Sequence, residues 1–421
     1  MITYHRTVLN NGLRLIVHQD TTTALAAVNI LYNVGSKHEQ AHKTGFAHLF
    51  EHLMFGGSKN IPVFDEPLQR AGGENNAFTS CDITVYYETL PAANLETAFW
   101  LESDRMNELA FSEKALEVQK KVVIEEFKEH YLNQPYGDVW HHLRALAYTI
   151  HPYRWPTIGL TPEHIASVTL PEVKDFFYTY YRPNNAILVV AGNVQPDEVF
   201  RLAETYFGVI APGTLPIHQL PTEPPQQQSR RCTIAAKVPV PALYKAWHFP
   251  ARNHPDFYAA DLITDILGAG KSGRLHQQLV MKQQLFSEIH CYHTGSLDPG
   301  LLVIEGKLTH GTSIQQAEQA VEQELQKLIE QPVDEPELQK VKNRLETQTA
   351  LSDTELLNRA LNLAVAELLG NANLVNEELE RYRAVTAEQI LQQARNILRP
   401  ENCSTLFYLP RRERPTTIAE A

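Results

Sequence analysis

Apolar residues gather in short stretches early in the chain. The runs 13–17 and 27–32, rich in Leu, Ile and Val, read as strands, with the polar stretch 19–23 between them. A helix is predicted to begin near Thr44. The run 78–90 sets Ile83, Val85 and Tyr87 on one face of a third strand, and the apolar spacing then becomes helical over 95–109 and 113–130. A fourth strand, 186–191, is apolar throughout and ends at Gly192. Pro212, Pro216, Pro221, Pro224 and Pro225, followed by glutamines, mark 212–230 as an exposed, semi-stiff linker. After it the order of elements restarts with strands at 233–240 and 244–249 and a helix over 257–267. Helical spacing then holds over 313–330, 335–351, 355–369 and 387–398, before a last strand at 403–409. The pattern predicts two related α+β domains, 1–211 and 231–421, each a mostly antiparallel sheet with helices packed on one side.

Composition narrows the classes open to such a chain. With 421 residues, 43% of them hydrophobic, it can bury a large core and is long enough for more than one domain. A formal net charge of -12 and a pI near 5.8 exclude nucleic acid and anionic membrane as main partners, because both require a basic surface. No apolar run is long enough to span a bilayer, so membrane insertion is not expected. The first twenty residues include Arg6, Asn10, Asn11, Arg14 and His18 and lack the apolar core of a signal peptide. A cytoplasmic location is expected, with the periplasm as the alternative if a leader has been removed. Cys81, Cys232, Cys291 and Cys403 form no C-x-x-C pair, which removes a thiolate zinc site and a thioredoxin-like motif.

The chemistry lies in the helix that starts near Thr44. It contains His48-Leu49-Phe50-Glu51-His52, an H-x-x-E-H pattern, and positions 48, 51 and 52 share one helical face. Two imidazoles one turn apart suit a tetrahedral zinc ion, and the carboxylate between them stands beside the metal, placed to act as a base. A catalytic zinc needs a third protein ligand. On the helix 113–130, Leu116, Val122, Val123, Ile124 and Phe127 form an apolar face; Glu126 falls between Val122 and Val123, whereas Glu125 lies opposite. A carboxylate in an apolar stripe is costly unless paired or metal-bound, which makes Glu126 the candidate. The plain alternative is a carboxylate paired with Lys or Arg, and a helix whose histidines are only partly buried.

These residues resemble the pitrilysin and insulin-degrading family of metallopeptidases, in its short, processing-peptidase-like members. The matching segments are His48 to Phe55, Asn76-Ala77-Phe78-Thr79-Ser80, Thr84-Val85-Tyr86-Tyr87, Val122 to Glu126 and His151 to Gly159, with a looser match at 266–275. The resemblance implies one zinc per chain held by His48, His52 and Glu126, with Glu51 as the base of an endopeptidase that hydrolyses internal bonds of unstructured peptides. It also implies that the strand holding Asn76, Ala77 and Phe78 pairs with an extended substrate. Two departures stand out: Gln119 replaces a supporting glutamate, and Val280 and Ser287 fall where many members carry an arginine and a tyrosine that hold substrate and stabilise the oxyanion. The missing donors point to a heterodimer with a noncatalytic homologue that supplies arginine and tyrosine, a homodimer being the alternative. A noncatalytic peptide-binding or assembly subunit of the same fold is the rival reading, and a zinc amidase acting on small molecules shares the metal chemistry.

Overall fold

In the computed structural model, residues 1–216 and 220–411 are described, and they divide into two compact units, each built on one sheet. The first sheet has six strands: β1 (His5–Val8), β2 (Arg14–Gln19), β3 (Leu25–Tyr32), β4 (Glu74–Thr79), β5 (Thr84–Pro91) and β6 (Ala186–Gly192), in the order β1-β2-β6-β3-β5-β4. Only β2 and β6 run parallel; the other neighbours are antiparallel. The second sheet joins β7 (Arg230–Ala236), β8 (Ala242–Phe249), β9 (Phe286–His293), β10 (Gly300–Leu308) and β11 (Cys403–Pro410) in the order β7-β11-β8-β10-β9, with β7 and β11 the parallel pair. This is the mostly antiparallel α+β architecture that the sequence pattern predicts.

Helices α1 (Phe46–Met54) and α2 (Glu113–Phe127) bear on the site, and α3 (Val139–Ala147) and α4 (Leu356–Leu368) are among those that pack on the two sheets. The run 78–90, expected as one strand, is two. Ser80 turns the chain, its hydroxyl accepting from the backbone N–H groups of Asp82 and Ile83 at 3.1 and 3.0 Å, so that β4 and β5 fold back on each other. Strand β6 is buried along its whole length, which requires cover on both faces of the sheet. Its side chains Ile187, Val189 and Ala191 share one face with Ile16, Leu31 and Val85, and this face packs against Ala360, Leu363 and Ala364 of α4.

Neither unit is a contiguous stretch. The first comprises Met1–Lys128, Ile150–Thr222 and Arg344–Arg383; the second comprises Glu129–Thr149, Glu223–Asn343 and Ala384–Ala421. Helix α4, although late in the chain, completes the core of the first sheet, and α3, although early, packs on β11, β8 and β7 of the second. The halves 1–211 and 231–421 therefore exchange segments, and the passage at Thr222 to Glu223 falls within the Pro-rich stretch. Among the described residues, no helix is long and apolar enough to cross a membrane.

Candidate metal centre

Helix α1 starts abruptly. Gly45 precedes it with φ 85°, a left-handed conformation that glycine adopts without strain, and a Cβ there would meet the Ile158 carbonyl oxygen at 2.5 Å. No side chain at the position before the helix caps it; instead the buried carboxyl group of Glu39 accepts from the backbone N–H of Gly45 at 2.9 Å and of Ala47 at 2.8 Å. The loop that carries Gly159 closes over the same end, with Leu160 N–H donating to Thr44 Oγ1 at 2.8 Å. Phe46, Leu49, Phe50 and Leu53 bury one side of α1. The opposite side presents His48, Glu51 and His52.

Helix α2 brings Glu126 to them. Its carboxylate lies 3.8 Å from His48 Nε2 and 3.4 Å from His52 Nε2, and the three ligand atoms fall within 4.8 Å of one another. The imidazole rings stand nearly perpendicular, 4.8 Å apart between centroids. Two donors each about 2.1 Å from a tetrahedral ion sit about 3.4 Å apart, so the donor set and its spacing fit zinc. Side-chain exposures of 15% for His48, 25% for His52 and 33% for Glu126 leave one side of the trio open to solvent, as a catalytic ion needs. Among the described residues no other trio of His, Cys, Asp or Glu is so arranged.

Glu126 occupies the margin of the apolar stripe rather than its middle. Leu116, Val123 and Phe127 are buried, but Val122 is 44% exposed, so the site side of α2 is partly apolar and open. Glu125 points away and pairs with Lys128 at 2.6 Å. Gln119 is half-buried, two turns before Glu126 on the same side of the helix. Asn76, Ala77 and Phe78 lie on β4, the last strand in the sheet order, which leaves one edge of its backbone unpaired within the sheet. Val280 is half-buried in the second unit, and the exposed Ser287 donates its hydroxyl to the Lys307 carbonyl at 3.1 Å.

Electrostatics prepare the groups unequally. Burial pushes the His48 imidazole well below its usual range, and His52 adds to this while Glu126 opposes it, so the ring is neutral and free to bind a cation. Burial raises the Glu51 carboxyl above the ordinary range, with the Thr79 hydroxyl and His52 pulling it back. Thr79 is a residue that the sequence did not single out: its Oγ1 donates to Glu51 Oε2 at 2.5 Å. The signal was only its place one residue beyond Phe78, in a segment read for its backbone.

Two histidines and a glutamate so placed are a donor set that can hold a zinc ion, and known proteins share the two-sheet α+β fold that carries them. Residues 14–160 match the family described as insulinase (peptidase family M16), and residues 167–345 match the domain described as the peptidase M16 inactive domain. A zinc protease of Helicobacter pylori, PqqE, is 32% identical over 342 residues, covering 79% of this chain and 76% of that protein. A probable mitochondrial-processing peptidase subunit beta of Schizosaccharomyces pombe is 29% identical over 311 residues, 70% of this chain and 67% of that one. The crystal structure of a protease from Helicobacter pylori superposes with a TM-score of 0.92 at 27% identity, covering 97% of this chain and all of the other. The chain belongs to the insulinase, or M16, family of peptidases.

Proposed function

We propose that this chain is the zinc-bearing subunit of an endopeptidase that hydrolyses internal bonds of unstructured peptides. The observation that carries the reading is the convergence of His48, His52 and Glu126 within 4.8 Å, open on one side, with Glu51 on the same helical face as the two histidines. In this reading those three side chains hold one zinc. When bound, zinc supplies Lewis acidity, polarising a carbonyl and bringing the pKa of a water to about 7. Glu51 accepts the proton of the attacking water as its oxygen bonds to the scissile carbon, then delivers that proton to the amine nitrogen as the C–N bond breaks. Partial burial suits Glu51 to both halves of the task, because a raised carboxyl is a stronger base and can hold a proton between steps. The free edge of β4 pairs with an extended chain through the backbone of Asn76, Ala77 and Phe78, which favours substrates without structure of their own.

A second chain belongs to the proposal. Val280 has no side-chain donor and Ser287 spends its hydroxyl within its own sheet, so neither can steady an oxyanion. The relative named as a subunit of the processing peptidase, and the match of 167–345 to a domain described as inactive, support a heterodimer in which a noncatalytic homologue supplies arginine and tyrosine. The inactive-domain match also keeps a noncatalytic assembly subunit as the second reading.

One experiment separates the two. Purified protein, alone and with a candidate partner, is assayed on a mixture of unstructured peptides by mass spectrometry, with metal content measured alongside. About one zinc per chain is expected in both the wild type and Glu51→Gln, with internal cleavage in the wild type only and a kcat that rises when the partner is added. Cleavage by Glu51→Gln at the wild-type rate removes the mechanism; absence of metal and of cleavage favours the assembly subunit.

A further inference from the structure

We infer that Thr79 is the positioning residue of the site, fixing the carboxylate of Glu51 so that only one of its oxygens faces the reaction; the inference rests on the reading of Glu51 as the base. The hydroxyl of Thr79 donates to Glu51 Oε2 at 2.5 Å. A glutamate on a helix has three side-chain torsions to settle, and a base that must meet a water in one orientation loses rate when those torsions wander. With Oε2 held by Thr79, Oε1 is the oxygen left to accept a proton.

The donor is itself held firmly. Thr79 is the last residue of β4, paired in register with Thr84 of β5 immediately before the Ser80 turn. Behind that turn runs the segment 35–39. Ser36 and Lys37 donate backbone N–H groups to the carbonyls of Ser80 and Cys81 at 3.2 and 2.9 Å. The Lys37 ammonium meets Asp82 at 2.8 Å, each side chain only 9% exposed, and Tyr153 donates to the same carboxylate at 2.5 Å. Gly35 permits the approach, since a Cβ there would lie 2.6 Å from the backbone of Cys81 and Asp82. The same segment ends in Glu39, which caps α1. One short strap therefore fixes both the strand end that carries the donor and the helix start that carries the acceptor. A hydroxyl this constrained is preorganised, which is what gives a single hydrogen bond to a charged group its effect.

The test uses Thr79→Val, which keeps the shape and loses the donor, and Thr79→Ser, which keeps the donor and loses a methyl. Kinetics on a fluorescence-quenched unstructured peptide should show kcat about ten- to a hundredfold lower for the valine variant, the range for a lost hydrogen bond to a charged group, with KM changed by less than about twofold. The serine variant should recover most of the loss. Crystal structures of the metal-free variants give a readout that does not depend on turnover: Glu51 should leave its place in Thr79→Val and keep it in Thr79→Ser. A Glu51 that stays put in the valine variant overturns the inference, as does a serine variant as slow as valine, which would assign Thr79 to packing. If the wild type cleaves nothing even with its partner, the assignment of Glu51 as a base fails on its own, and the crystallographic arm still decides where Thr79 holds it.

Discussion

Glu39 is a carboxyl group with almost no water around it, and its charge is set by the balance between burial and the start of a helix. Burial pushes it up to about 8, while the backbone N–H groups of Ala47, Gly45 and Phe46 pull it down. A folded carboxyl that titrates above its unfolded counterpart contributes stability that is complete below the ordinary range near 4.5 and is lost as pH rises through about 8. Wild-type stability measured against Glu39→Gln, which cannot ionise, should therefore fall between about pH 5 and 8. Urea unfolding of both proteins at several pH values in that window checks it, and a flat difference would mean that the buried carboxyl titrates normally. His48, Glu51 and His52 could be read from helical spacing alone, because H-x-x-E-H is local, whereas Glu126 had to be sought on the apolar side of a second helix. Glu39 and Thr79 could not, since Glu39 reaches Gly45 and Ala47 by the path of an irregular loop and Thr79 meets Glu51 from a separate strand, and a polar residue in a loop or at a strand end carries no periodic signal.

At the level of the element, the helices α1 and α2 were legible to within a few residues, whereas β4 and β5 between them read as one run. Both helices follow helical apolar spacing, although their partners lie far along the chain: Phe50 packs on Phe176 and Tyr181. Helix α4 was equally legible as a helix, yet nothing in its pattern tells which sheet it covers. In the structure Ala360, Leu363 and Ala364 are fully buried against β2, β3, β5 and β6, and the small alanines let the helix lie close to the strands. Charged groups fix its orientation: Arg6 on β1 grips Glu367 through two hydrogen bonds of 2.7 and 2.9 Å, and Arg359 meets Asp20 at 2.7 Å. Truncating Leu363 to alanine removes a fully buried side chain from the core beneath the first sheet, at a cost of about 2–5 kcal/mol. The loss should appear in chemical unfolding followed by a probe in the first unit. A loss of only a few tenths would show that α4 contributes little to that core.

For the whole molecule, the Pro-rich stretch suggested a chain cut cleanly into two halves, whereas the chain passes between its two units five times. Composition marks a linker by its prolines but cannot register an exchange, because α3 and α4 read as ordinary amphipathic helices wherever they end up. The exchange changes what cleavage can do. A site-specific protease sequence placed after the exposed Thr222 would sever the one connection that looks like a seam. The two fragments should nevertheless travel as one species on gel filtration and part only in denaturant, because each retains a piece of the other's interior. Fragments that separate in native buffer would contradict this. The molecule is in this sense laced together, and a scar in its linker is survivable.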